Sequence, residues 1–131
     1  MANEAILMFE TELPIPINVA DGAGIEKGTV LQLADLFVGS ASSAADQAFG
    51  GITKIEKIAN DGNTKVAAYF GGVFKMVVGA AGCTVGFNVS LSGANLVVDS
   101  DANDNDEGLV VGKALETGTT GETVLVYVGK F

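Results

Sequence analysis

The sequence predicts an all-β protein with at most a short helix: a compact barrel or sandwich of two similar half-sheets carrying an extended N-terminal arm. Three observations lead there. Apolar residues alternate with period two over short runs rich in Val, Thr, Tyr and Phe, the pattern of a half-buried strand. Eighteen glycines, together with Asn and Asp, punctuate those runs, whereas 131 residues hold only two prolines and no tryptophan. The two halves of the chain also echo one another. A hydrophobic fraction of 48% separates this composition from disordered acidic chains. A chain of this mass buries roughly two-thirds of its surface on folding and needs no disulfide or metal staple.

The first twenty residues read as an arm, with residues 21–131 forming one β-rich domain. Ile6, Leu7, Met8, Phe9, Leu13, Ile15 and Ile17 make the arm apolar, while Pro14 and Pro16 lack amide donors and hold the chain extended between them. Such a segment is no central strand throughout. It can fold back on its own barrel or add to the sheet edge of a neighbouring subunit. Strands follow at residues 29–33, 65–70, 85–91 and 123–128, with glycine-led apolar segments at 51–57 and 108–116. Turns are expected at 61–63 and 92–95, because Gly, Asn and Asp tolerate positive φ. Residues 42–49 begin on serines, continue through alanines and stop at Gly50-Gly51, which predicts up to two helical turns.

The echo follows one order in each half. A glycine precedes a strand of V-x-L type (28–33 and 82–91), then comes a polar loop and a glycine-led strand (51–57 and 108–116). A turn and a strand closed by Gly-x-Phe complete it (64–74 and 123–131). Two copies at a spacing of about 57 residues predict two half-sheets, each closing the core of the other.

Charge and composition exclude several functions. Seven lysines, no arginine and sixteen carboxylates give a net charge of −9, which repels phosphate backbones and anionic lipid surfaces. Neither nucleic acid nor a membrane is an expected partner. Without histidine there is no His-dependent triad and little zinc chemistry, and Cys83 alone forms no intramolecular disulfide. No basic n-region with an apolar core opens the chain, so synthesis in a cytosol is expected.

Residues 99–108 carry five carboxylates and two amides. Asp99, Asp101, Asp104 and Asp106 are the candidate metal ligands, but the glycine and bidentate glutamate that an EF-hand loop requires are missing at their offsets. The segment reads as a solvated acidic loop, with adventitious Ca²⁺ as the alternative. Gly108 to Ala114 misses the phosphate-loop spacing, and no base stands out beside a serine or beside Cys83. No cofactor and no enzymatic activity are expected.

Ile25-Glu26-Lys27-Gly28-Thr29-Val30-Leu31-Gln32-Leu33, the Ser/Ala/Asp stretch 40–46, Phe49-Gly50-Gly51-Ile52, Asp61-Gly62-Asn63-Thr64 and Gly71-Gly72-Val73-Phe74 succeed one another in that order. In these features the chain resembles the head decoration, or cement, proteins of tailed bacteriophages, over roughly residues 25–131. The resemblance implies a β domain, commonly trimeric, made in the host cytoplasm and docked on the capsid surface, where it bridges capsomers without catalysis. It also implies that the arm (Ile6, Leu7, Met8, Phe9, Leu13, Pro14, Ile15, Pro16 and Ile17) binds the major capsid protein. The alternative is a structural subunit of another surface assembly, such as a fibre, spike or pilus-like module.

Overall fold

The computed structural model describes residues 3–45, 47–101 and 109–129. Eleven strands follow in order: β1 (Ile6–Phe9), β2 (Ile15–Asn18), β3 (Val30–Ala34), β4 (Val38–Ala41), β5 (Phe49–Thr53), β6 (Lys65–Tyr69), β7 (Gly72–Val78), β8 (Asn88–Gly93), β9 (Leu96–Asp99), β10 (Val110–Ala114) and β11 (Thr123–Val128). Strands β2-β4-β3-β5-β6 close into one five-stranded barrel. Strands β7-β9-β8-β10-β11 close into a second, and β1 adds to the edge of β7.

Every pairing of the first barrel recurs in the second. β2–β4 and β7–β9 are the parallel pairs. The antiparallel pairs β2–β6, β3–β4, β3–β5 and β5–β6 return as β7–β11, β8–β9, β8–β10 and β10–β11. The isolated bridge Ile25–Lys57 has its counterpart in Cys83–Gly118. Equivalent residues stand about 58 positions apart, so the echo in the sequence is a duplicated fold.

The expected helix at 42–49 does not form. Among the described residues the only helical element is the three-residue 3-10 turn Asp35–Phe37. Ala45 instead bridges to Ser92, and Phe49 enters β5 opposite Gln32. Two turns of helix without an apolar stripe gain too little to compete with a sheet ladder. Strand 85–91 begins later than expected, at Asn88, because Cys83 bridges to Gly118 and Phe87 closes a turn by donating to the Thr84 carbonyl. No helix among the described residues is long and apolar enough to cross a membrane.

The first barrel is filled by Ile17, Val19, Ile25, Leu31, Val66 and Ala68. The larger core contains the interior of the second barrel, including Phe74, Met76, Val89, Val97, Val124 and Val126, and it also takes in Ala5, Val30, Ile52 and Tyr69. The last three form one cross-strand row, Val30 opposite Ile52 and Ile52 opposite Tyr69. Since Leu31 and Ala68 point into the first barrel, alternation turns this row outward, onto the end of the second. Tyr69 meets Phe74 edge to face at 5.8 Å. Asn95, in the β8–β9 turn, accepts a hydrogen bond from the Val30 amide at 2.8 Å, and its own amide donates to Ser42 Oγ at 3.0 Å. The two barrels therefore share a core and fold as one body.

The duplicated interiors are packed differently. Registers place Ile17, Leu31 and Gly39 where the second barrel has Met76, Val89 and Val97. A Cβ at Gly39 would lie 2.9 Å from Ile17 Cγ2 and 3.3 Å from Leu31 Cδ1, so Ile17 and Leu31 together occupy the room that Val97 fills in the other copy. Gly39→Val is expected to cost about 2 kcal/mol through overpacking. Leu31→Val alone should cost about 1 kcal/mol. Combined, they should cost at least about 1 kcal/mol less than their sum, as read from urea unfolding midpoints.

Candidate functional site

The arm is extended, but it is strapped to its own barrels. The Ala5 amide donates to the Gly28 carbonyl at 2.8 Å, and Ala5 is buried in the shared core. Gly28 holds φ at 83°, and any side chain there would run into the Ala5 carbonyl. At the far end of β1, the Tyr69 hydroxyl donates to Glu10 Oε2 at 2.6 Å. Between these ties β1 pairs with β7, Ile6 opposite Lys75, Leu7 opposite Phe74 and Phe9 opposite Val73, with an irregularity at Met8.

Residue 20 is therefore no boundary of packing. β2 closes the first barrel, and Ile17 is fully buried inside it. Ile17 thus leaves the set of arm residues that could touch a partner, because a side chain enclosed by its own barrel has no outer surface. The prolines enter a barrel strand without cost. Val19 donates to the Thr64 carbonyl, so alternation aims the Ile15 and Ile17 amides at β6 and the nitrogens of Pro14 and Pro16 at the opposite edge. There β4 pairs with β2 only at Asn18. On β7 the equivalent positions are Val73 and Lys75, which face β1. The two prolines remove from β2 the donors that on β7 hold the added strand, which blunts this edge against pairing.

The exposed remainder of the arm forms the candidate contact site. Ile6, Leu7, Met8 and Phe9 are all exposed on β1, as are Leu13, Pro16 and Ile15 further on, with Pro14 half-buried. β1 ends the sheet order, and its outer edge meets no strand among the described residues. A groove of about 670 Å³ runs between β1 and the first barrel, lined by Ile6, Leu7, Lys27, Lys54 and Ile55 among others. A four-residue apolar edge strand beside a groove of mixed apolar and charged lining can accept an added strand together with its side chains. Such an edge is ordinarily covered or charged in a protein that acts alone.

The acidic segment offers less. Asp99, at the end of β9, is engaged by the turn that precedes β8, accepting from the Thr84 amide at 2.8 Å and the Thr84 hydroxyl at 2.7 Å. Asp101 is exposed, while Asp104 and Asp106 lie outside the described residues. No group of three ligating side chains occurs among the described residues.

Sequence reasoning missed one buried charge. Lys57 is enclosed, and its ammonium donates to Asp21 O, Asp21 Oδ1, Ile58 O and Asp61 Oδ1, each at 3.0 Å. Burial is the largest influence and lowers its pKa, yet the hydrogen bonds and charges of Asp61 and Asp21 together outweigh it and leave the pKa raised. Asp61 is lowered, first by the Asn63 amide and then by Lys57. The second barrel has Gly118 at the place of Lys57, so this lock belongs to the first copy alone. An I-E-K-I run gives no sign that its lysine turns inward.

No family model matches the chain, and no curated protein matches it in sequence. Among solved structures, it is similar to the crystal structure of the head fibre gp8.5 N base of bacteriophage phi29, with a TM-score of 0.57 and 16% identity. The match covers 93% of this chain and 95% of that one, so the two share a fold over nearly their whole lengths.

The strap between Tyr69 and Glu10 gives a pH signature. The hydrogen bond to Glu10, then burial, then the Glu10 charge push the Tyr69 phenol up to about 12. Raised above its unfolded value near 10, it contributes stability that is intact below pH 10 and is lost as pH rises through 12. Absorbance titration should show this late phenol ionisation, and Tyr69→Phe should abolish it at a cost of about 1 kcal/mol near neutral pH.

Proposed function

We propose that this chain is a non-catalytic structural protein of a bacteriophage head. It sits on the capsid surface, where it holds neighbouring copies of the major capsid protein together as a decoration protein does. The observation that carries the reading is the fold shared over nearly the full length with a protein of a phage head fibre base. The exposed apolar strand β1 supports it by supplying an edge for strand addition to a protein partner. Bridging a shell under internal pressure needs only binding energy, repeated over many sites. A net charge of −9 suits a densely coated particle, since like charge keeps coated heads apart.

A second reading is favoured by the same structural neighbour: the chain serves as the foot of a fibre, anchoring a projection to the head. The two differ in what is lost without the protein. A decoration protein protects heads from rupture by heat or chelators, whereas a fibre foot leaves head stability unchanged.

Purified protein mixed with heads that lack it should co-sediment saturably. Met8→Lys and Leu13→Lys, both on the exposed part of the arm, should each weaken binding at least about 10-fold. Ile17→Val should lower stability by about 1 kcal/mol and leave head binding unchanged. Removal of the whole arm is uninformative, because it removes a strand of the first barrel. Undiminished binding by both lysine variants would overturn the assignment of the arm to the capsid contact, and absence of binding by the native chain would overturn the head role.

A further inference from the structure

The contact between the barrels is heterologous. The outer row Val30–Ile52–Tyr69 of the first covers the end of the second, where Phe74 and Asn95 lie. Because the barrels share one topology, each of these two surfaces exists twice. The second outer row is Asn88–Lys113–Tyr127, continued across β7 and β1 by Val73 and Phe9. The second end surface belongs to the first barrel, where Ile15 stands in the place of Phe74, Phe37 in that of Asn95, and Val38 beside it.

One copy of each surface is buried and the other is open. Val30, Ile52 and Tyr69 are 0%, 0% and 3% exposed; of their counterparts Tyr127 is 41% exposed and Asn88 and Lys113 are half-buried, and Phe9 at the end of the row is 64% exposed. Asn95 is 1% exposed, against 48% for Phe37, 42% for Ile15 and 36% for Val38. Phe37 and Asn95 share a φ of 60°, a conformation that suits asparagine and strains phenylalanine. An exposed aromatic at such a position gains nothing from its own turn, and backbone strain of this kind clusters at functional sites.

We propose that the two open surfaces bind one another between copies. The outer face of the second barrel, centred on Tyr127, covers the Phe37 end of the first barrel of the next copy. The chain then assembles head to tail, bringing together between molecules the same pair of surfaces that joins its own halves, with Asn88 and Lys113 where Val30 and Ile52 stand. Heterologous contacts of this kind close into a ring or extend as a fibre according to the rotation between copies. The inference concerns contact between copies; Phe9 and Ile15 also belong to the arm assigned above to the head contact, whereas Phe37 and Tyr127 do not, so these two residues carry the test.

Sedimentation velocity of the full chain over a range of concentrations tests it. The native protein should associate beyond its 13.3 kDa monomer. Phe37→Asn, which suits the backbone, and Tyr127→Glu, which puts a charge at the centre of the outer row, should each weaken association at least about 30-fold. An equimolar mixture of the two variants should form heterodimers and nothing larger, because each retains the surface that the other lacks. The Cys83 thiol, buried and pushed up to about 11 by burial and then by Asp99, should stay unreactive in both, which shows that they are folded. A native chain that stays monomeric, folded variants that still associate, or a mixture that fails to dimerise would each overturn the proposal.

Discussion

The seal between the two barrels is the contact on which the rest of the structure rests. A five-stranded barrel of this size closes its wall with hydrogen bonds but leaves an open end, and apolar side chains at that end lose burial unless something covers them. Val30, Ile52 and Tyr69 supply the cover, and the Asn95 side chain ties it down by accepting from the Val30 amide. The core of the second barrel is incomplete without this seam, whereas the interior of the first forms a cluster of its own. The larger core crosses from one half into the other, so the duplicated units cannot be regarded as separate domains.

The arm depends on the same seam. Ala5 enters the shared core beside it, and Tyr69, one of the three covering residues, also holds Glu10. β1 is thus fixed at both ends with its middle exposed, a rigid edge instead of a loose tail. Rigidity matters for binding, because an edge that is already ordered loses little conformational freedom when a partner strand adds to it. The prolines complete the arrangement. By removing donors from β2 where β7 has them, they leave β1 as the edge of the arm open to pairing.

The two barrels have one topology but differ in the residues with which they meet. Where the first barrel places Val30 and Ile52 against its neighbour, the second carries Asn88 and Lys113 towards solvent. Asn95 lies in the seam, and its counterpart Phe37 stands outside it. Lys57 locks Asp21 to Asp61 in one barrel, while Gly118 takes its place in the other. The differences at Val30, Ile52 and Asn95 separate a buried copy of a surface from an exposed one.

Much of this was legible in the amino-acid sequence. Period-two alternation and glycine punctuation determined the all-β class, and the echo between residues 28–74 and 82–131 determined that the fold has two like halves. Both signals are local or repetitive, and neither depends on which strand pairs with which. The sequence also marked residues 6–17 as apolar and extended, but it could not divide them. Ile17 and Met8 look alike in a string, and only the closure of the first barrel around β2 puts one inside and leaves the other out. The alanines at 44, 45 and 48 carry helix propensity, which a ladder to β3 and a bridge to Ser92 overrode. The Lys57 lock and the Asn95 tie join residues 36 and 65 positions apart, and such long-range partners leave no local periodicity to read. Composition and spacing set what kind of strands this chain makes; the tertiary structure alone decided which faces are covered, because burial is a property of neighbours brought together by folding.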